Sequence, residues 1–394
     1  LFVVACGDPG LDDGSSDGTG GNCAFGVCSP GSGGAANGSG GAAPGSGGTL
    51  PGSGGSASGG NTAAGGSLGS GGGGEVELTG VETPTPPCTV ATPPAYEALA
   101  TNAKLPDPFT KLDGSAVATR EDWACRRAEI ASFVAEYELG PKPPKPSSVT
   151  ASLSGNNLNI TVADGGKSID FSVSITKPSG AGPHPAIISY GPASLPIPSN
   201  VASIRFSNDG MAEQTNGSSR GKGKFYDLYG STHGAGAMMA WAWGVSRIID
   251  ALESTPSASI DTTRIGVTGC SRNGKGALVA GAYDARIALT LPQESGSGGS
   301  ACWRVSDYQK SGGTNVQTLS QIVTENVWFR SSFSQFGNSA NKLPFDHHLL
   351  AGLVAPRGLL MIENTSQTWL GNVSCFQCGV AARRIWDALG VSDH

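Results

Sequence analysis

The sequence predicts an α/β fold in which a mainly parallel sheet lies between two layers of helices. Short apolar runs that end in glycine alternate with longer segments of helical period, which is typical of βαβ units. The runs at residues 184–191, 264–269 and 287–291 have the composition of buried parallel strands. Because such a sheet and its helices routinely use about 250 residues or more, a length of 394 residues does not require two domains.

The elements can be assigned in order along the chain. Residues 120–137 carry apolar side chains at helical spacing and predict a helix. Residues 157–162 and 170–175 alternate apolar and polar side chains, which indicates half-buried strands. Residues 235–252 are apolar at helical period and are expected to pack on the sheet. Later strands are predicted at residues 264–269, 287–291 and 358–363, with a helix at residues 277–282.

Composition divides the chain into three parts. Glycine accounts for 61 of the 394 residues, and it is concentrated, with serine and alanine, before residue 80. Such a segment has little apolar surface to bury, so nothing offsets the entropy lost on ordering it. We therefore predict a flexible tether at residues 31–80, a short cysteine-containing segment before it at residues 1–30, and a globular domain at residues 81–394.

The first residues resemble the end of a bacterial export signal. Val3, Val4 and Ala5 precede Cys6, and Gly7 follows it. This order resembles a lipoprotein processing site, so the sequence predicts a lipid on Cys6 and an extracellular or surface-anchored protein. An ordinary signal peptide that is cut nearby is the alternative, and it also places the protein outside the cytoplasm.

Charge and cysteine content exclude several partners. The net charge is −6 without a run of lysine and arginine, so nucleic acid is not expected as a partner. No stretch of about 18 apolar residues occurs, so we expect contact with a membrane only through a lipid on Cys6. Nine cysteines without zinc-ligand spacing favour disulfides over metal, and we expect neither a metal nor another cofactor.

Ser271 is the candidate nucleophile. It lies in the segment GCSRNG (residues 269–274), between a predicted strand and a predicted helix. A serine on such a sharp turn is the nucleophile elbow of the α/β-hydrolase fold, and the free N–H groups of the following helix favour an oxyanion. The second glycine stands one position later than in the common G-x-S-x-G pattern. A tight turn or an anion-binding loop is therefore the alternative.

A serine nucleophile needs a base and an acid that orients the base, and on this fold the acid comes before the histidine. Glu294 lies on a Gly/Ser-rich loop after the strand at residues 287–291, where it can hold an imidazole or be a solvated loop acid. Glu363, at the end of the next predicted strand, is the competing acid. The sequence leaves this choice open.

None of the five histidines is an evident base. His184 and His233 precede the serine and are expected to be structural or surface residues. His347 and His348 enter an apolar helix-like stretch, where buried packing histidines are expected. His394 is the last residue.

Several blocks of sequence occur in an order that is typical of one enzyme family. The blocks are GKFYDLYG at residues 223–230, AWAWGV at 240–245, GCSRNGK at 269–275, PQESG at 292–296, TENVWF at 324–329 and LPFDHHLLAGLVAPR at 343–357. From about Cys88 to the end, the chain resembles the glucuronoyl esterases of carbohydrate esterase family fifteen. The resemblance implies an α/β-hydrolase-type three-layer sandwich that hydrolyses esters between 4-O-methyl-glucuronic acid on glucuronoxylan and lignin alcohols.

The resemblance implies roles for the residues around the elbow. Ser271 attacks the ester carbonyl, Glu294 orients the base, and the backbone N–H and guanidinium of Arg272 stabilise the oxyanion. Lys275 lies one turn after Ser271 on the same helix face and can reach the sugar, although a solvated helix lysine is the alternative.

The resemblance also implies three sugar contacts. Gln317 and Glu325 hydrogen-bond the uronate hydroxyls, and Trp369 offers a flat apolar face to the sugar ring. A tryptophan buried in the core is the alternative for Trp369.

The remaining implications concern cysteines and the base. The resemblance pairs Cys88 with Cys125, Cys302 with Cys378, and Cys270 with a cysteine beyond the last residue. The family's base lies in a Gly-His-x-His-Cys segment that would follow shortly after the present sequence. The domain at residues 81–394 is therefore expected to stop before the catalytic histidine.

The predicted function is a serine carboxylic ester hydrolase that forms an acyl-enzyme on Ser271 and works as a monomer on glucuronoxylan–lignin esters. A related esterase for other uronate or aryl esters is an alternative, because the pocket motifs define the sugar better than the alcohol. A surface-tethered carbohydrate-binding protein without catalysis is a second alternative.

Overall fold

The computed structural model describes residues 68–69 and 77–394. The lipidation predicted at Cys6 and most of the tether predicted at residues 31–80 lie outside the described residues. Six tether residues are described, at positions 68–69 and 77–80. The Leu68 N–H donates to the carbonyl of Ala388 at 2.9 Å, and Gly69 forms a β-bridge with Thr119. The domain boundaries stay a prediction.

A mixed sheet lies at the centre of the described part, with helices around it. Its strands are β1 Ser148–Ser154, β2 Asn157–Asp164, β3 Lys167–Thr176, β4 His184–Tyr190, β5 Ala202–Phe206, β6 Ile260–Cys270, β7 Ile287–Gln293 and β8 Gly358–Leu359. The strand order is β1-β2-β3-β5-β4-β6-β7-β8. The first three strands are antiparallel to their neighbours, and the other five run parallel. The predicted α/β fold is confirmed, with an antiparallel portion at its beginning.

Nine helices are assigned within the described residues. They are α1 Arg120–Val134, α2 Asn208–Met211, α3 Lys224–Tyr229, α4 Ala237–Glu253, α5 Arg272–Tyr283, α6 Trp303–Ser311, α7 Leu319–Glu325, α8 His347–Gly352 and α9 Asn372–Leu389. Every residue of α4 except Glu253 is buried, because this helix packs against α5 and against strands β1, β2 and β6. Most side chains of α4 are apolar, as such a buried position requires, and its buried Arg247 and Asp250 form ion pairs.

Helix α1 begins at a capping box and ends in a wider turn. The Thr119 hydroxyl accepts from the Asp122 N–H at 3.1 Å, and the Asp122 carboxylate accepts from the Thr119 N–H at 3.2 Å. After Val134 the chain continues as a π-helical turn, Ala135–Leu139. π turns are rare and occur often near functional sites.

The parallel strands bring candidate residues to one edge of the sheet. The ladder between β6 and β7 pairs their last residues, so Ser271 and Glu294, which follow these strands, are neighbours. Gln293 also forms a β-bridge with Ile362, which places Glu363 beyond Glu294 at the same edge. Ligands of open α/β sheets bind at this carboxyl edge.

Two disulfides fasten the helices to the rest of the fold. Cys88 bonds to Cys125 in α1, and Cys302, before α6, bonds to Cys378 in α9. These are the same two pairs that the resemblance implies. Cys270 is also disulfide-bonded within this chain, which differs from its implied pairing with a cysteine beyond the last residue. Cys375 is a buried free cysteine.

Asp307 in α6 is a half-buried carboxylate that destabilises the fold when it ionises. Burial, and then the negative charge of Asp346, raise the pKa of Asp307 to about 6, against an opposing effect of Arg304. Because the folded pKa exceeds the usual value of 3.8, the native state binds the extra proton between those pH values. The stabilisation that comes from protonated Asp307 is therefore complete at low pH, and it is lost as the pH rises through about 6.

Asp307→Asn is expected to stabilise the protein at pH 7.5 by about 1 kcal/mol, a figure reduced from the full pKa shift because solvent screens this partly exposed group. The melting temperature should rise by roughly 2–3 °C at pH 7.5 and stay unchanged at pH 4. Thermal unfolding at both pH values checks this, with the exposed Glu213→Gln as control. An equal rise at both pH values would contradict the electrostatic explanation.

Candidate active site

Ser271 lies on a strained turn between β6 and α5. Its backbone has φ 56° and ψ −127°, a region that non-glycine residues rarely adopt. The Ser271 N–H donates to the Gln293 carbonyl at 2.9 Å, which fastens the turn to the neighbouring strand. The Ser271 side chain does not cap α5, so its hydroxyl is not used to hold the helix. This is the geometry expected of a nucleophile elbow.

The glycines on either side of Ser271 have a packing reason. A Cβ on Gly269 would lie 2.5 Å from the Asn273 carbonyl oxygen, and a Cβ on Gly274 would lie 2.5 Å from the Gln293 carbonyl oxygen. Both distances are too short for any other residue. The second glycine, one position later than in the common pattern, therefore lies where α5 approaches the backbone of β7 closely.

Asn273 takes the position that glycine has in the common pattern. Its side-chain N–H donates to the Tyr190 carbonyl at 3.4 Å, and its oxygen accepts from Asn208 at 3.0 Å. These bonds fix the first turn of α5, whose N–H groups and dipole favour an anion. Arg272, the first residue of α5, is half-buried at the same place.

Glu294 begins the loop after β7, also with a strained backbone. Its φ is 45°, and its N–H donates to the Ile362 carbonyl at 2.7 Å. The loop at residues 294–301 folds back on itself: the Gly299 and Ala301 N–H groups both donate to the Gly296 carbonyl at 2.9 Å. Glu294 is therefore held on a compact loop beside Ser271.

Lys275 is buried, so the alternative of a solvated helix lysine is wrong. Its Nζ donates to the Ser295 carbonyl at 2.6 Å and lies 5.7 Å from the centre of the Trp328 ring. Burial lowers the pKa of Lys275 to about 8, and the carboxylates of Glu325 and Glu363 oppose this shift. The lysine thus carries its charge next to the loop of Glu294 below about pH 8.

Gln317, Glu325 and Trp369 lie together. The Gln317 Nε2 donates to the Glu325 carboxylate at 2.6 Å, and the Gln317 N–H donates to the Trp369 carbonyl at 2.9 Å. The Ser297 hydroxyl of the loop at residues 294–301 donates to the Gln317 carbonyl. Trp369 is 42 % exposed, so the alternative of a core tryptophan is wrong.

Glu363 faces a different space from Ser271. It lines a groove of about 470 Å³ that also includes Cys375 and Phe376 of α9, and Ser271 is not among the lining residues. Burial raises the pKa of Glu363, while hydrogen bonds from Ser300 and Ser295 and the charge of Lys275 oppose the shift. Of the two candidate acids, Glu294 is the one that directly follows the strand paired with β6.

Two of the five histidines have contacts away from Ser271. His184 is the first residue of β4, at the amino end of the parallel strands. The His394 Nδ1 bonds to the Pro356 carbonyl at 2.8 Å, and His394 lines the same groove as Glu363.

The other three histidines have their own partners. His233 packs on Phe225 and Tyr229, and its Nδ1 accepts from the Ala235 N–H at 3.2 Å. His347 and His348 are buried, as predicted, and both ring nitrogens of each lie near an acceptor or a sulfur. All five histidines lie within the described residues, and in that part of the chain none contacts Ser271.

Residues 68–69 and 77–394 contain neither a candidate metal site nor a candidate membrane-spanning helix. No group of three or more His, Cys, Asp or Glu side chains in this part of the chain is arranged to hold a metal ion. No described helix is long and apolar enough to cross a membrane.

Comparison with known proteins identifies the family. The sequence profile described as "Glucuronyl esterase, fungi" matches residues 160–390. The 4-O-methyl-glucuronoyl methylesterase of Podospora anserina is 59 % identical over 315 residues, which are 79 % of this chain and 64 % of that protein. The chain thus spans a little under two thirds of that relative's length.

Solved structures agree with this match. The glucuronoyl esterase catalytic domain from Hypocrea jecorina is 60 % identical with a TM-score of 0.74, over 75 % of this chain and 82 % of that one. A mutant glucuronoyl esterase from Sporotrichum thermophile, solved in complex with methyl 4-O-methyl-β-D-glucopyranuronate, is 55 % identical with a TM-score of 0.75, over 78 % of this chain and 82 % of that one. The chain therefore belongs to the glucuronyl esterase family.

Proposed function

We propose that this chain is the catalytic part of a glucuronoyl esterase that hydrolyses 4-O-methyl-glucuronoyl esters between glucuronoxylan and lignin alcohols. The proposal rests on the position of Ser271, which lies on a strained turn beside the loop of Glu294. The complex of the Sporotrichum thermophile relative with a methyl glucuronate supports the substrate class.

In the proposed mechanism the Ser271 oxygen attacks the ester carbonyl while a base removes its proton. The Arg272 N–H and guanidinium stabilise the negative charge on the tetrahedral carbonyl oxygen, together with the dipole of α5. The alcohol leaves with the proton from the base, and water then hydrolyses the acyl-enzyme by the same steps. Glu294 orients the base and stabilises its charged form.

The sugar contacts determine which acid is accepted. Lys275 donates a charged hydrogen bond to a sugar oxygen, Gln317 and Glu325 bond the uronate hydroxyls, and Trp369 stacks on the ring. None of these side chains selects the alcohol. Esters of the same uronate with other alcohols are therefore the alternative substrates.

The base is proposed to be a histidine other than the five in this sequence, because their contacts direct them away from Ser271. A segment that follows His394 is the proposed source. Because none of the five histidines contacts Ser271, a non-catalytic carbohydrate-binding protein is the second candidate function.

The protein is proposed to act outside the cytoplasm as a monomer. Two disulfides between distant parts of the domain support an oxidising compartment. The family match is to enzymes of fungi, and it lends no support to a bacterial lipoprotein anchor. Lipidation at Cys6 stays a prediction.

Hydrolysis of benzyl glucuronate by the 394-residue chain, and by the chain extended to its natural stop codon, tests the proposal. Activity in the extended form alone supports the proposed mechanism. Equal activity in both forms would make one of the five histidines the base. Inactivity in both forms would favour the carbohydrate-binding protein.

Lys275→Met is expected to raise KM for methyl glucuronate by about 10- to 100-fold and to change kcat much less, because a charged hydrogen bond to the sugar is made before and during reaction. In the unaltered protein KM should rise as the pH passes about 8 and Lys275 loses its proton. Steady-state kinetics from pH 6 to 9.5 check both points. The exposed Lys310→Met is the control, and a large fall in kcat alone would contradict the binding role.

A further inference from the structure

A histidine–glutamate pair is buried behind the loop that carries Glu294. His347, the first residue of α8, and Glu138, in the π turn, are both fully buried, and the His347 Nε2 lies 2.9 Å from the Glu138 carboxylate. The other ring nitrogen, Nδ1, lies 2.5 Å from the carbonyl oxygen of Gly299. The proposed reaction does not use either side chain.

The partners determine the protonation of the His347 ring. A carbonyl oxygen can only accept, so Nδ1 must carry a proton and donate to Gly299. Burial alone would lower the pKa of His347, but the charge and hydrogen bond of Glu138 raise it overall.

The Gly299 carbonyl belongs to a loop that holds several site residues. Glu294 begins the loop, and the Ser295 carbonyl accepts from Lys275 at 2.6 Å. The Ser297 hydroxyl donates to the Gln317 carbonyl. A displacement of this loop therefore moves the proposed acid and two proposed sugar contacts together.

Further contacts hold the backbone on both sides of the pair. The Arg330 N–H donates to the Glu138 carbonyl at 2.9 Å. Gly140, just after the π turn, has φ 81°, and a Cβ on it would lie 2.2 Å from the Gly234 carbonyl oxygen. Asp346 fixes the start of α8, because it accepts from the His347 N–H at 2.8 Å and from the Trp303 N–H at 2.7 Å.

We propose that His347 is a positioning residue for catalysis, which holds the loop at residues 294–301 through its Nδ1–H bond to the Gly299 carbonyl and thereby fixes Glu294 relative to Ser271. The inference rests on the proposed function. Glu138 holds the ring in place, but the bond to Gly299 is the one that catalysis needs.

Two substitutions distinguish the roles of the two ring nitrogens of His347. Asparagine places its amide N–H near the position of Nδ1, so His347→Asn keeps a donor toward Gly299 and loses the contact with Glu138. Glutamine reaches the position of Nε2, so His347→Gln keeps the contact with Glu138 and loses the donor to Gly299. His348→Gln is the matched control, because His348 is also buried in α8 but bonds to the Pro106 carbonyl at 2.8 Å instead.

The full-length protein is used, with kcat and KM for methyl glucuronate measured well below each melting temperature. His347→Gln is expected to lower kcat by about 10- to 100-fold, since a small displacement of a catalytic group has effects of this size. His347→Asn and His348→Gln should keep kcat within about threefold, even where their melting temperatures fall. A merely structural role would make the loss of kcat follow the loss of stability across the three variants, which would overturn the proposal.

Amide hydrogen exchange of peptides that cover residues 294–301 gives a readout that does not need activity. Exchange should rise in His347→Gln and not in His348→Gln, and an equal rise in both would overturn the proposal. If the unaltered protein does not hydrolyse the ester, the proposed function fails while this measurement still tests the loop. If His347→Gln does not fold, His347→Asn and Glu138→Gln are measured instead. Both keep a donor toward Gly299, so a loss of kcat beyond about threefold in either variant overturns the proposal.

Discussion

Ser271→Ala is expected to lower kcat for methyl glucuronate by about 10⁴- to 10⁶-fold in the full-length protein, because removal of the nucleophile leaves only binding and oxyanion stabilisation. Affinity for the ester should change little, because the Ser271 hydroxyl attacks the ester carbonyl and does not bind the sugar. Product release in steady-state assays and calorimetric binding of the unreacted ester check the two halves of this expectation.

Ser271→Gly is a useful companion to the alanine variant. The backbone at Ser271 has φ 56°, which costs alanine and serine about 1–3 kcal/mol and costs glycine little. The glycine variant should therefore be as inactive as the alanine variant but more stable to urea. Ser194→Ala, which removes a hydroxyl that bonds Gln293 at 2.6 Å, is the control and should lose less than about tenfold in kcat. Substantial activity of Ser271→Ala would mean that another group attacks the ester.

The sequence predicts the strands and helices that have a strong apolar pattern. The predicted helix at residues 120–137 begins at Arg120 as observed, and the predicted strands at 184–191 and 287–291 match β4 and β7. Each of these segments has enough buried side chains for its period to be read locally.

The sequence analysis did not predict two of the strands. β1, Ser148–Ser154, alternates polar and apolar residues, but it is the outermost strand and its apolar side chains are only half-buried. β5, Ala202–Phe206, has only five residues and follows a proline-rich stretch. The strand order is also invisible in the sequence, because it depends on pairing between segments that are far apart.

The candidate site divides in the same way. Ser271 and Glu294 were found because each follows an apolar run that ends at the same edge of a parallel sheet. Trp328, next to the Lys275 ammonium, and the pair of Glu138 and His347 were missed as site features, because their partners lie far away along the chain. The DHH segment did indicate buried histidines, but a local pattern cannot name the acceptor of a hydrogen bond.

Substitution of the two candidate acids, Glu294 and Glu363, should distinguish between them by its effect on kcat. Glu294→Gln should lower kcat by about 10³- to 10⁴-fold with little change in KM, because an amide cannot stabilise the charged base in the transition state. Glu363→Gln should lower kcat by less than about tenfold, since Glu363 lines the groove beside α9 and lies one strand further from Ser271.

Glu363→Gln should also change the stability of the fold. Burial raises the pKa of Glu363 in the folded state, so its ionised form destabilises the fold at neutral pH and the cost disappears as the pH falls below its usual value. Glu363→Gln should therefore raise the melting temperature at pH 7 and not at pH 4, which shows that the variant has removed the buried charge. If Glu363→Gln lost activity like a nucleophile mutant and Glu294→Gln did not, the acid would come from the strand after β7, and the strained turn at Glu294 would then serve only to hold the loop above Lys275.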